Sequence, residues 1–259
     1  MTDYESLERS VSADPQQLPN HIEEIRRKLG SDDVHERADA GRALRAVARA
    51  DATLLEPYHE LVVGLLSDRN GSLQLSGLVG VAELAAVAPE RVDHLVPTLT
   101  DLLEGSSAPA IEQAVIKALT RLGESTPGVV AEADALLAER LRTATTPIRL
   151  SLVTVFASAV IERPSAFPEL VRAFETALAE DDAARVRRYA ASTLSLVAAE
   201  DPSALSSVED TYERVVALDE RVNGGVMQER DENLTEAVAR LEGVIGDAAG
   251  VDAVTEDGD

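Results

Sequence analysis

The chain of 259 residues carries 47 acidic against 24 basic side chains, a formal net charge of −23, and contains neither Trp nor Cys. The absence of cysteine excludes disulfides and thiol chemistry, and charge of this sign opposes binding to phosphate backbones. Hydrophobic residues reach 45% while aromatics are only 3%, so the core must be built from Leu, Val and Ala, which suits closely packed helices.

The N-terminal stretch MTDYESLERS is polar and does not read as a secretion signal, and no apolar run is long enough to span a bilayer. A cytoplasmic protein with no membrane association is the expectation. Residues 1–18 place Tyr4, Leu7 and Val11 at helical spacing ahead of Asp14-Pro15. This predicts a short helix capping the exposed N-terminal edge of the core.

The remainder is periodic. In the segment Asp181–Val197, apolar or small residues fall at Val186, Ala190, Thr193, Leu194 and Val197, the stripe of an amphipathic helix. The same frame starts at Glu36, Leu73, Ile111, Ile148 and Val186, at spacings of 37, 38, 37 and 38 residues. A second set of landmarks, Leu29, Leu66, Leu103, Leu141 and Leu178, repeats at 37, 37, 38 and 37. Two rulers agreeing on one period predict stacked helix pairs. The fold class is therefore all-α, an α-solenoid of about six antiparallel pairs.

In chain order the units are 19–50, 51–88, 89–125, 126–163, 164–200 and 201–246. Repeat one pairs Asn20–Gly30 with Val34–Arg49. Repeat two pairs Leu54–Ser67 with Gly71–Val87, where Gly77 and Gly80 on the core frame should let a neighbouring helix approach closely. Repeat three pairs Val92–Leu103 with Ala110–Leu122. Repeat four pairs Val129–Arg142 with Pro147–Ile161, and repeat five pairs Ala166–Ala179 with the 181–197 segment. In the sixth, Leu205–Leu218 is followed by the turn at Val222 and by a frame of Val226, Arg230, Asn233, Leu234 and Ala237. Polar residues on that frame suit a terminal cap. Residues 247–259 lose periodicity and gather acids, which predicts a disordered tail.

With Asp in intra-pair turns such as Asp33 and Asp182, and Val-Arg-x-x-Ala opening a second helix, the chain resembles the HEAT-repeat family. The best matches are Asp182 with Val186, Arg187 and Ala190, and Asp33 with Arg37 and Ala40. Gln74 and Glu112 depart from the family's Arg, which interrupts any Asp–Arg ladder through repeats two and three. The resemblance implies an interaction scaffold that binds another protein. It leaves open a HEAT-like accessory lyase or chaperone acting on a cofactor-bearing protein. Near-absence of Lys (only Lys28 and Lys117) beside abundant Asp also resembles acidic proteins of haloarchaea, in which molar salt shrinks the Debye length to about 3 Å.

No catalytic, cofactor or metal residues are assigned. The four histidines, His21, His35, His59 and His94, share no ligand spacing, and no HExxH, phosphate loop or nucleophile elbow occurs. Two sets of residues are candidates for partner binding. The first is apolar: Leu75, Leu78 and Val79 in repeat two, and Leu150, Val153 and Ile161 in repeat four, lie off the core frame on almost uncharged helices. They are either buried between neighbouring helices or form a strip for a partner helix or a second copy of the chain. The second is basic: Arg42, Arg45 and Arg49 at one end, and Arg185, Arg187 and Arg188 at the other. These either pair with local carboxylates or grip an acidic partner segment. A protein partner, and no nucleic acid, is the expectation.

Overall fold

The computed structural model describes residues 7–105, 108–224 and 231–256. Every regular element among them is helical. The chain divides into two compact units, residues 1–130 and 131–259.

In the first unit, α1 (Leu7–Ala13) leads through a 3-10 turn into α2 (Leu18–Leu29), followed by α3 (Val34–Ala50), α4 (His59–Gly64), α5 (Gly71–Val87), α6 (Val96–Gly105), α7 (Pro109–Ser125) and α8 (Pro127–Val130). α3, α5 and α7 stack in a row; α2 and α4 back α3 and α5, while α6 and α8 back α7. α1 covers the outer side of α3 and buries Leu7 and Val11; Tyr4 lies outside the described residues. Asp33 and Asn70 start α3 and α5 by accepting the N–H groups of His35 (2.8 Å) and Ser72 (2.9 Å).

The second unit holds α9 (Asp134–Thr143), α10 (Thr146–Val155), α11 (Ala157–Glu162), α12 (Pro168–Glu180), α13 (Ala184–Glu200), α14 (Val208–Asn223) and α15 (Glu232–Glu256). α9, α12 and α14 form one layer, while α10 with α11, then α13, then α15 form the other.

The periodic frame is the core. Ala40, Ala43, Leu44 and Val47 on α3, Val115, Ala118, Leu119 and Leu122 on α7, and Val186, Ala190, Leu194 and Val197 on α13 are all no more than 1% exposed. Of the terminal leucines, Leu66, Leu103, Leu141 and Leu178 are buried, and Leu29 is partly so. Gly77 and Gly80 of α5 sit against α4 and the 3-10 turn that follows it: a Cβ on Gly80 would lie 2.4 Å from Val62 Cγ1, and one on Gly77 would lie 2.9 Å from Leu65 Cβ. On α3, Gly41 faces Leu73 of α5 in the same way.

Several helices expected as continuous are broken. Pro57 lies inside a 3-10 stretch, Ala52–Tyr58, so the first helix of repeat two is regular only over α4. The second helix of repeat four divides at Phe156 into α10 and α11. Val153-Thr154-Val155 is a β-branched run of low helix propensity, and Thr154 Oγ1 donates back to the carbonyls of Leu150 (2.8 Å) and Ser151 (3.0 Å). Phe156 fills the bend, fully buried and edge-on to Phe167 with centroids 6.4 Å apart.

At the C-terminal end Leu234, Ala237 and Leu241 of α15 are buried while Asn233 is exposed; Val226 and Arg230 lie outside the described residues. Helical backbone continues through residue 256, across most of the stretch expected to lack regular structure. No proline interrupts residues 232–256, so its acids and glycines weaken helix formation without forbidding it.

Candidate protein-binding surfaces

Some of the arginines hold the array together. Arg37 of α3 reaches the next intra-pair turn, with Nε 3.3 Å from Asp68, and donates to the carbonyls of Ser31 (2.9 Å) and Asp32 (3.1 Å). Arg149 does the same for the turn before α13, bonding Asp181 at 2.8 and 3.1 Å, Asp182, and the Ala144 carbonyl at 2.9 Å. The Asp181 carboxylate pushes the Arg149 guanidinium pKa above its ordinary value. Arg187 donates to the Asp181 carbonyl. Where Gln74 replaces arginine, its amide reaches, among the described residues, only the Leu66 carbonyl of its own pair (3.3 Å).

Arg42, Arg45 and Arg49 lie on one side of α3. Arg42 pairs with Glu8 of α1 at 2.7 Å and approaches Asp39 at 3.9 Å. Arg49, in the last turn, complements the helix dipole. Arg45 is half-buried, and its pKa is lowered by that burial and by Arg49, partly offset by Glu8 and lowered again by Arg42. Among the described residues neither Arg45 nor Arg49 is in an ion pair.

The apolar strip is corrected by the packing. Leu78 of α5 and Val153 of α10 are both 0% exposed, so neither can form part of a free surface. α5 touches α3 on one side, α7 on the other and α4 behind. A helix with three neighbours buries more than one stripe, and Ala82 and Ala85 join Leu78 in the second. Leu75, Val79, Leu150 and Ile161 remain half-buried.

In the second unit, Arg185, Arg188, Tyr189 and Ser192 of α13 meet Asp231 and Asn233 around a cavity of about 280 Å³. Arg188 pairs with Asp231 at 3.1 Å, and Tyr189 is 41% exposed. Tyr189 and the cavity were not read from the sequence, although 185, 188, 189 and 192 are one helical face. A larger cavity, about 370 Å³, separates α12 from α14, but its Glu175 is already engaged by the Ser206 N–H and hydroxyl, both at 2.7 Å.

Two buried carboxylates also escaped the sequence reading. Asp39 accepts the N–H groups of Leu7 (3.3 Å) and Glu8 (3.5 Å) and the Lys28 ammonium at 2.5 Å. Asp134 accepts those of Glu169 (2.8 Å) and Leu170 (2.9 Å) at the start of α12. Each carboxylate serves a helix other than its own, a long-range relation that no local spacing reveals.

The histidines stay apart in role. His35 and His94 are exposed, and His59 Nδ1 lies 3.0 Å from the Glu56 carbonyl. Among the described residues no group of three His, Cys, Asp or Glu is arranged to hold a metal, and no helix is long and apolar enough to cross a membrane.

Neither a protein-family model nor a curated protein matches the sequence. Solved structures are similar in fold. An engineered protein superposes with a TM-score of 0.65 at 20% identity, over 88% of this chain and 97% of its own. Computationally designed armadillo repeat proteins for modular peptide recognition give 0.62 at 19%, over 83% and 98%. A designed armadillo repeat protein in complex with the peptide (KR)4 gives 0.65 at 16%, over 87% and 99%. The chain has the fold of a HEAT/armadillo-like all-α solenoid.

Proposed function

We propose that this solenoid is a non-catalytic scaffold or adaptor that binds another protein along the surface lined by the second helices of its pairs. The observation that carries the reading is the outward side of α3 and α5. Stacking uses the frame residues and Leu78, yet Arg42 and Arg45 stand three residues apart on α3 and Arg45 and Arg49 four apart. Like charges at these spacings destabilise a helix by about 0.2–0.5 kcal/mol per pair. Arg45 and Arg49 return no ion pair among the described residues, and half-buried Leu75 and Val79 lie on the adjoining helix. Cations on one helix and partly covered aliphatic side chains on the next suit a protein partner. Two of the similar solved proteins are described as recognising or holding peptides, which favours the same use here. Nucleic acid is disfavoured by the net charge of −23.

Affinity capture from a native high-salt lysate tests this reading. Arg42, Arg45 and Arg49 changed together to Ser should lose the captured protein while the circular-dichroism helix signal stays that of the wild type. Unchanged capture would reject this surface.

A further inference from the structure

We propose that the cavity between α13 and the start of α15 is a docking site for an acidic peptide segment, taking a carboxylate side chain between Arg185 and Arg188 and an adjacent aliphatic residue against Tyr189. The proposal rests on the scaffold reading and assigns it a partner chemistry at one place.

Three independent features converge there. The first is direction. Arg185, Arg188, Tyr189 and Ser192 follow at i, i+3, i+4 and i+7, so they share one face of α13, while Val186, Ala190, Thr193, Leu194 and Val197 face the core.

The second is charge. The chain has about two acids for each base, yet residues 183–199 contain three arginines and no Asp or Glu. Arg187 is turned away to the Asp181 carbonyl. Arg185 is exposed and has no ion pair among the described residues. Among the described residues, Arg188 shares its charge with Asp231 alone, across 3.1 Å. Surrounding carboxylates do not cancel this patch at range, because at physiological ionic strength charges beyond about 8 Å are screened. They do disfavour a long polyanion, whose later phosphates would run back over acidic surface.

The third is shape and chemistry. A space of about 280 Å³ lies just under the range of small-ligand pockets, roughly 300–1,000 Å³, and fits a side chain rather than a cofactor. All three Phe residues are fully buried, whereas Tyr189 stands 41% exposed on the rim. Exposed Tyr beside Arg is the composition of interface hot spots. The guanidinium forks supply charge-assisted, paired hydrogen bonds to a carboxylate.

Asp231 occupies part of the site in the free chain. An incoming carboxylate competes with it for Arg188, so removing its charge should strengthen binding. That opposite sign separates a ligand site from a merely structural ion pair.

Fluorescence anisotropy on the full chain tests this, using a labelled octapeptide of alternating Glu and Leu, its Lys-for-Glu counterpart, and inorganic phosphate as competitor. The acidic peptide should bind and the basic one should not. Arg185→Ser with Arg188→Ser should weaken binding by about tenfold or more, Tyr189→Ala should weaken it several-fold, and Asp231→Asn should tighten it. If the double variant loses helicity, Arg185→Ser alone, at an exposed position, carries the same expectation. Three outcomes would overturn the proposal: indifference to Arg185, no gain from Asp231→Asn, or displacement by phosphate without any peptide preference. Binding of the basic peptide instead would also sink it, while leaving the scaffold reading to be judged on Arg42, Arg45 and Arg49.

Discussion

Asp39 and Asp134 show how much depends on what stands beside a buried carboxylate. Burial pushes both pKa values upward. At Asp39 the Lys28 ammonium and two backbone N–H donors outweigh burial and hold the carboxyl below its ordinary value of 3.8. At Asp134 the two N–H groups, with Arg172 at longer range, do not suffice, and the pKa stays raised. The two residues therefore have opposite pH signatures. The Asp39 contribution is present above the unfolded value and lost as pH falls through the lower folded value. The Asp134 contribution is present below the unfolded value and lost as pH rises through the higher folded one. In urea unfolding at neutral pH, Asp39→Asn should cost about 1–2 kcal/mol, with the gap to wild type closing in acid. Asp134→Asn should cost roughly 0.5 kcal/mol or less, because an amide oxygen still accepts from a helix N-terminus. Equal losses for the two would mean that the Lys28 pair adds nothing.

At the scale of elements, two glycines separate packing from propensity. Gly80 and Gly123 both sit inside helices. A Cβ on Gly80 would strike Val62 at 2.4 Å, whereas one on Gly123 would meet Val130 at an ordinary 3.8 Å. Ala for Gly raises helix propensity by about 1 kcal/mol at either site. Gly123→Ala should therefore raise the thermal midpoint and Gly80→Ala should lower it, by roughly 1–3 kcal/mol of overpacking. The close approach at Gly77 and Gly80 was legible in the sequence, since small residues recur where large ones are due. The period and the buried frame were legible too. The breaks at Pro57 and Phe156 were less so, because a pattern of apolar teeth survives a turn of 3-10 helix. Leu78 and Val153 were ambiguous for a different reason. A periodic reading assigns each helix one inner stripe, but α5 has neighbours on three sides, and the number of neighbours is a property of the stack.

For the whole molecule, charge is the dominant global term. A net −23 opposes compaction through self-repulsion, and raising salt from 0.1 to 1 M shortens the screening length from about 10 to about 3 Å. The thermal midpoint should climb by several degrees over that range and then level off. A midpoint that falls with salt would mean that ion pairs such as Arg37–Asp68 and Arg149–Asp181 outweigh the repulsion. Composition is the ground for this expectation, and period announced the fold. The proposed docking face was less visible, because Tyr189 gains meaning only once Asp231, more than forty positions away, lines the same cavity.

The carboxylate of Asp134 has a consequence for how this protein comes apart. It belongs to one helix pair, yet it closes the front of α12 in the next. Peeling α9 away would cost α12 the carboxylate that caps its first turn, so neighbouring pairs in this unit should surrender together as a block, not one by one from an end. A row of repeats latched in this manner behaves less like a zipper than like a hinge pinned shut at both leaves.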